Sequence, residues 1–163
     1  MPLTVEALRK FLEESDVNWH AADETPGVTQ TLWQCEHFRD EDGSSVLAVF
    51  LLIDESGELL TLQTQPLLDL ARVRFVGPLA ATVLELGSTR VASRFVREPE
   101  GTQLALRIDL PLLDGTLGRE QLLFLLEELV SAADSLYPTL RAAADGGRTG
   151  DAAHDPEPAG DGG

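Results

Sequence analysis

Between Gln103 and Leu112 the chain alternates strictly. Leu104, Leu106, Ile108, Leu110 and Leu112 take every second place, with Gln103, Ala105, Arg107, Asp109 and Pro111 between them. A period of two predicts a strand with one buried face. Pro111 belongs at the end of that strand, because it has no N–H for a ladder, and Asp114-Gly115 supplies a turn. The period then becomes helical. Leu122, Leu125, Leu126, Leu129, Ala133, Leu136 and Leu140 make one stripe that should lie on the leucine face of the strand. Gly118 is the expected N-cap, with Leu117 and Leu122 at the spacing of a hydrophobic staple and Glu120 at the positive end of the helix dipole. Leu123, Val130 and Tyr137, seven apart, form a second stripe that one sheet does not cover as well. Pro138 is expected to kink or end the helix near Tyr137.

The rest of the chain reads the same way. Thr4 is a good N-cap, with Leu3 and Leu8 as a staple, for a first helix ending near Asp16. Val17 to His20 suits a short edge strand. Val28 to Phe38 is a strand with Thr29, Thr31, Trp33 and Cys35 on one parity, and Asp40 to Ser44 turns it back. Val46 to Ile53 is apolar on both parities, as in a strand covered on both faces or covered on one by a partner subunit. Asp54 to Gly57 is a turn, Leu59 to Thr64 a strand, and Leu67 to Val76 is ambiguous. Gly77-Pro78 opens a second helix with Leu79, Val83 and Leu86 as its apolar face, and Gly87 closes it at C′. Val91 to Glu98 is a strand, turned by residues 98–101 into the one first described. The result is an α+β domain with an antiparallel sheet of about five strands and three helices, in the order α-β-β-β-α-β-β-α.

The segment LPLLDGTLGREQLLFLLEELVSAADSLYPTLR, Leu110 to Arg141, resembles the C-terminal signature of the YbjN family. Weaker agreement reaches back to about Thr4. The family usually has Ser, Thr or Pro where Gly118 stands, a departure that touches helix capping alone. The resemblance implies a fold shared with the type III secretion chaperones, over residues 1–143. It carries no chemistry, since its residues are packing and turn residues. From 144 to 163 the chain has no bulky apolar residue and is rich in Gly, Asp and Pro. Such a composition predicts a disordered acidic tail.

Charge narrows the partners. The chain of 163 residues carries 12 basic and 28 acidic side chains, a net −16. A surface of that sign repels nucleic acid and anionic membranes. The absence of a basic-then-apolar leader, the lone Cys35 and the shortness of the longest apolar run make a cytoplasmic protein the expectation. Against this background Arg72, Arg74, Arg90, Arg94, Arg97 and Arg107 cluster in a window with only Glu85, Glu98 and Glu100. They make either a basic face for an acidic peptide or an acidic tract of a neighbouring subunit or, more simply, a sheet face paired locally with acids. Arg94 and Arg97 do not share a face of a regular strand.

Candidate chemistry is sparse. Cys35 and His37 stand two apart on an expected strand, but no CxxC or HxxxH supplies further metal ligands. GxSxG, GxGxxG and Walker motifs are absent, and no cofactor or metal is expected. Two functions remain, beside the blander reading of a dimeric fold whose apolar surplus is used only on itself. One is a non-enzymatic protein-binding module, chaperone-like adaptor or regulator, acting as a homodimer with one or more protein clients. Its candidate contact residues are Leu84, Leu123, Val130, Tyr137, Arg94 and Arg97. The other is a small-molecule sensor or enzyme drawing on Trp19, Trp33, Cys35, His37 and the arginines. The dimer follows from surplus apolar surface, which a monomer leaves wet, and the resemblance implies it too, because secretion chaperones are commonly dimers.

Overall fold

The computed structural model describes residues 2–74, 76–88, 92–97, 101–112 and 116–146. Its elements are α1 (Val5–Glu14), β1 (Trp19–Ala21), β2 (Thr29–Gln34), β3 (Val46–Ile53), β4 (Leu59–Thr64), β5 (Leu68–Asp69), α2 (Val76–Ser88), β6 (Arg94–Arg97), β7 (Gln103–Pro111) and α3 (Arg119–Ala144), with a 3-10 turn at Leu70–Arg72. The fold is α+β. Among the described residues, three helices accompany one antiparallel sheet of seven strands, in the order β1-β2-β3-β4-β7-β5, with β6 also on β7. Two short strands join the five of that order: β1, at the edge, is the strand that Val17 to His20 suited, and β5 lies in the ambiguous stretch Leu67 to Val76. The expected turns at Asp114-Gly115 and residues 98–100, Arg90, and the tail from 147 on lie outside the described residues.

Local rules explain most of the boundaries. The Thr4 hydroxyl accepts the Ala7 N–H at 3.2 Å, and Leu3 and Leu8 are buried beside it. In the β2–β3 turn the Asp40 carboxylate accepts from the N–H groups of Asp42 and Ser44. Between β3 and β4, Asp54 accepts from Glu58 and Leu59. Gly57, at φ +71°, is required there twice over: a Cβ would strain the backbone and would meet Pro2 Cβ at 2.6 Å.

Three expectations need correcting. Gly87 does not close α2, which runs on to Ser88. Phe95 of β6 lies 3.9 Å from where a Gly87 Cβ would be, an ordinary contact distance. Pro78 stands two residues inside α2 rather than at its first position, still within the first turn, where its absent N–H is not missed. Pro138 does not end α3. The helix continues to Ala144, because Leu140, Ala143 and Ala144 beyond the proline are buried in the core. Burial of that last turn offsets a proline cost of about 3 kcal/mol.

Every second residue of β7, β4 and β3 points into one core. Leu104, Leu106, Ile108, Leu60, Leu62, Leu47, Val49 and Leu51 are buried there with the stripe of α3. Helix α1 lies on the same side: its Leu8 and Leu12 join the core, and its Arg9 donates to Thr29 on the inward parity of β2. Helix α2 joins through Leu79, against α3 and β6. All three helices therefore share one face of the sheet.

Candidate functional site

Two surfaces remain uncovered. The first is α2. It is apolar nearly all round, with Glu85 its only charged residue, yet only Leu79 is buried. Val83 and Leu86 are half-buried against the core as expected. Leu84 is 75% exposed and Val76 56% exposed. A helix apolar on every side is normally a buried helix. On α3, which packs against α2, Phe124 is 63% exposed.

The second surface is the outer face of the sheet. Its residues are the odd partners of the core strands: Leu32, Ala48, Phe50, Leu52, Thr61, Gln63, Ala105, Arg107 and Asp109, with Arg94 and Val96 from β6. No described helix covers them, and Leu32 and Leu52 are exposed. Of the apolar second parity of Val46–Ile53, Leu52 is exposed, Val46 and Phe50 are half-buried and Ala48 is buried. Near β6, Asp109 organises the charges. It accepts from Thr61 at 2.9 Å, from Arg107 Nε at 2.9 Å and from Arg94. Burial would raise its carboxyl, but the hydrogen bonds from Arg94, Arg107 and Thr61 outweigh burial and hold it below the usual carboxylate range.

The residues singled out in the sequence divide between these surfaces and the core. Leu84 is on the α2 surface, and Leu123 is half-buried. Val130 and Tyr137, expected to look away from the protomer, are instead packed against its core. Tyr137 meets Phe38 edge to face, with ring centroids 5.2 Å apart. Phe124, one residue off both stripes, was not singled out. Arg94 and Arg107 flank Asp109 on the outer face. Arg97 has the opposite parity, as expected, but stands exposed at the strand's end and borders a hollow with Val96, Ala105 and Arg107.

The residues proposed for small-molecule chemistry do not converge. The strand ends at Gln34, so Cys35 and His37 do not share a strand face: the thiol is buried and the imidazole exposed. Burial, with the nearby Asp134 carboxylate, pushes the Cys35 thiol up to about 11, which keeps it protonated and unreactive at neutral pH. Trp19 donates to Glu13 and lies under the Arg9 guanidinium at 4.4 Å. Trp33 donates to Thr31. A cleft of about 610 Å³ opens elsewhere, between the β2–β3 turn, the β4–β5 connection and the end of α3. Glu41 and Asp69 pair there with Arg72, and Asp145 with Arg141.

Sequence reasoning also missed Asp134. Its carboxylate, on α3, accepts the backbone N–H groups of Glu36, His37 and Phe38 at 3.1, 2.7 and 2.8 Å. Burial would raise this carboxyl, but the three N–H groups outweigh burial and hold it below its ordinary value. It fastens the end of β2 to the last helix. Nothing in the sequence pairs residues so far apart.

The architecture is that of a type III secretion chaperone-like α+β domain, as the resemblance implied. Solved structures bear this out. The chain is similar to YbjN from E. coli with a TM-score of 0.57 at 12% identity, over 87% of this chain and 92% of that one. It is similar to a chain of the ExsC–ExsE complex with a TM-score of 0.55 at 19% identity, over 86% and 97%. At these identities the likeness is one of fold. No protein-family model matches the chain, and no curated protein matches it in sequence. None of the described helices is long and apolar enough to cross a membrane.

Proposed function

We propose that the protein is a non-enzymatic binding module, a chaperone-like adaptor or regulator that works through protein–protein contact as a cytoplasmic homodimer. One observation carries the reading: α2 is an apolar helix held on the surface, with Leu84 and Val76 in water and Phe124 exposed on the neighbouring α3. A monomer that leaves such side chains uncovered aggregates, and a two-fold contact closes them with one self-complementary surface. A chain of the same fold occurs in a complex of two different proteins, which supports a role in holding a partner. The scattered positions of Trp19, Trp33, Cys35 and His37, and the protonated thiol, weigh against a sensor or enzyme built on them.

Light scattering at micromolar concentration tests the dimer. The expected mass is twice 17.6 kDa. Leu84→Glu and Phe124→Glu should reduce it to the protomer mass with the circular dichroism spectrum unchanged. A parent protein of protomer mass refutes the dimer, and a dimer untouched by both changes moves it away from α2 and α3.

A further inference from the structure

The strand register sets the outer face of the sheet in rows. One row crosses six strands as His20, Gln30, Phe50, Gln63, Arg107 and Arg94. On one side of it lie Leu52, Thr61 and Asp109, on the other Leu32 and Ala48. The face is therefore apolar on β3 and at Leu32 of β2, and basic on β7 and β6. Phe50 and Arg107 stand two strand spacings apart, about 10 Å, so one segment laid across the face reaches both parts.

The charge of this face is opposite to that of the molecule. Arg94 and Arg107 share the single carboxylate of Asp109, and exposed Arg97 borders the hollow that Arg107 also lines. Three arginines against one carboxylate give a local +2, on a chain of net −16. Among the described strand residues of this face, Asp109 is the only acid, and its oxygens are already engaged by Arg94, Arg107 and Thr61. A two-fold contact of this face with itself brings the same surplus of arginine and no unshared carboxylate, so the face does not complement itself. The overall charge disfavours phosphate polymers and anionic lipid.

We infer that the outer face of the sheet docks an acidic, amphipathic segment of another protein. Its bulky apolar side chains lie over Leu32, Phe50 and Leu52, and its carboxylates meet Arg94 and Arg97. This rests on the binding-module reading and adds the chemistry of the partner and its place, on the face opposite the helices and distinct from α2.

Fluorescence anisotropy on the full chain tests it with three labelled 14-residue peptides: Leu alternating with Glu, Leu alternating with Lys, and Ser alternating with Glu. The Leu/Glu peptide is expected to bind, and the other two at least ten-fold more weakly. Leu52→Ser and Arg94→Gln should each weaken it at least five-fold at an unchanged melting temperature, whereas Leu84→Glu should leave it intact. Equal binding of all three peptides, no binding of the Leu/Glu peptide, or wild-type binding by both face variants overturns the inference. So does loss of binding in Leu84→Glu, which puts the peptide on α2. Vesicles of phosphatidylserine and phosphatidylcholine are the further arm: binding to them that Arg94→Gln abolishes gives the face to a membrane and overturns the inference as well. A parent of protomer mass that still binds the Leu/Glu peptide at this face refutes the dimer and sustains the docking site.

Discussion

Helices α2 and α3 pack side by side and are both rich in Leu and Ala, yet ten residues of α3 are buried and only Leu79 of α2 is. Their polar residues account for the difference. Opposite its stripe, α3 carries Glu120, Gln121, Glu127, Ser131, Ser135 and Arg141, which keep that side in water. Helix α2 has Glu85 alone among charged residues, so it has no side suited to water and no core deep enough to take it. The core of the protomer is complete without most of α2. The protomer leaves most of the apolar surface of α2 uncovered, and stability measurements can separate the two helices.

The largest contrast should come from truncating a leucine in each. Leu129 is fully buried on α3, and Leu129→Ala should cost about 3 kcal/mol, the usual loss when a core leucine leaves a cavity. Leu84→Ala, measured on dissociated protomers by urea unfolding at nanomolar concentration, should change stability by less than about 0.5 kcal/mol. Equal losses would erase the distinction between the helices and make α2 part of the protomer's core.

Asp134 gives the next effect, and it belongs to α3 alone. Asp134→Ala leaves three N–H groups at Glu36, His37 and Phe38 without their acceptor and should cost about 2 kcal/mol, since these bonds are charge-assisted but partly exposed. Its pH dependence has a definite sign. The carboxyl is held below its ordinary value in the folded protein, so the unfolded chain takes up the proton first as pH falls. The stabilisation is whole above the unfolded value, about 3.9, and disappears as pH drops through the lower folded value. Asp109 has the same sign for the same reason. Urea midpoints measured from pH 6 down to pH 2 should therefore fall less steeply for Asp134→Ala than for the parent. Parallel curves would show that Asp134 does not contribute through its charge.

These effects mark where the sequence was legible. The alternation of Gln103 to Leu112, the Thr4 cap, the leucine stripe of α3 and the apolar face of α2 each depend on neighbours within a turn or a strand, and the structure keeps all of them. The features that were not legible depend on residues far apart. Asp134 meets Glu36, His37 and Phe38 across most of the chain. Tyr137 has the spacing of an outward stripe, but Phe38, brought in by the β2–β3 turn, covers it. The Arg94–Asp109–Arg107 cluster needs the β6–β7 register. Of the candidate surface, the sequence showed that apolar area was in excess and that arginines gathered in one window. It did not show which leucines the protomer would use itself.

Pro138 gives a smaller effect of opposite sign. It sits inside α3, where its ring crowds the carbonyl of Asp134 and no N–H reaches back to it. Pro138 is exposed, so Pro138→Ala removes the crowding without opening a cavity and should raise stability by about 1–2 kcal/mol, less than the full helix-interior penalty because local adjustment of the backbone relieves part of it. A loss of stability would mean that the proline itself positions Asp134 or Leu140, and α3 would then depend on its proline as well as its stripe.

The smallest effect is expected where α3 ends. Ala143 and Ala144 are buried, and Gly146, at φ +85°, donates to the Ala143 carbonyl at 3.1 Å to close the last turn. Residues 147–163 contain no bulky apolar side chain, so they have nothing to add to a core. A chain ending at Gly146 should melt within a few degrees of the full chain, a difference below about 0.5 kcal/mol. A chain ending at Arg141 removes Ala143, Ala144 and the closing turn, and it should melt measurably lower. The pair of truncations tests whether the buried end of α3, rather than the length of chain after Pro138, holds the helix in place. Equal melting of all three chains would show that the last turn is dispensable, and the persistence of α3 through Pro138 would then need another cause.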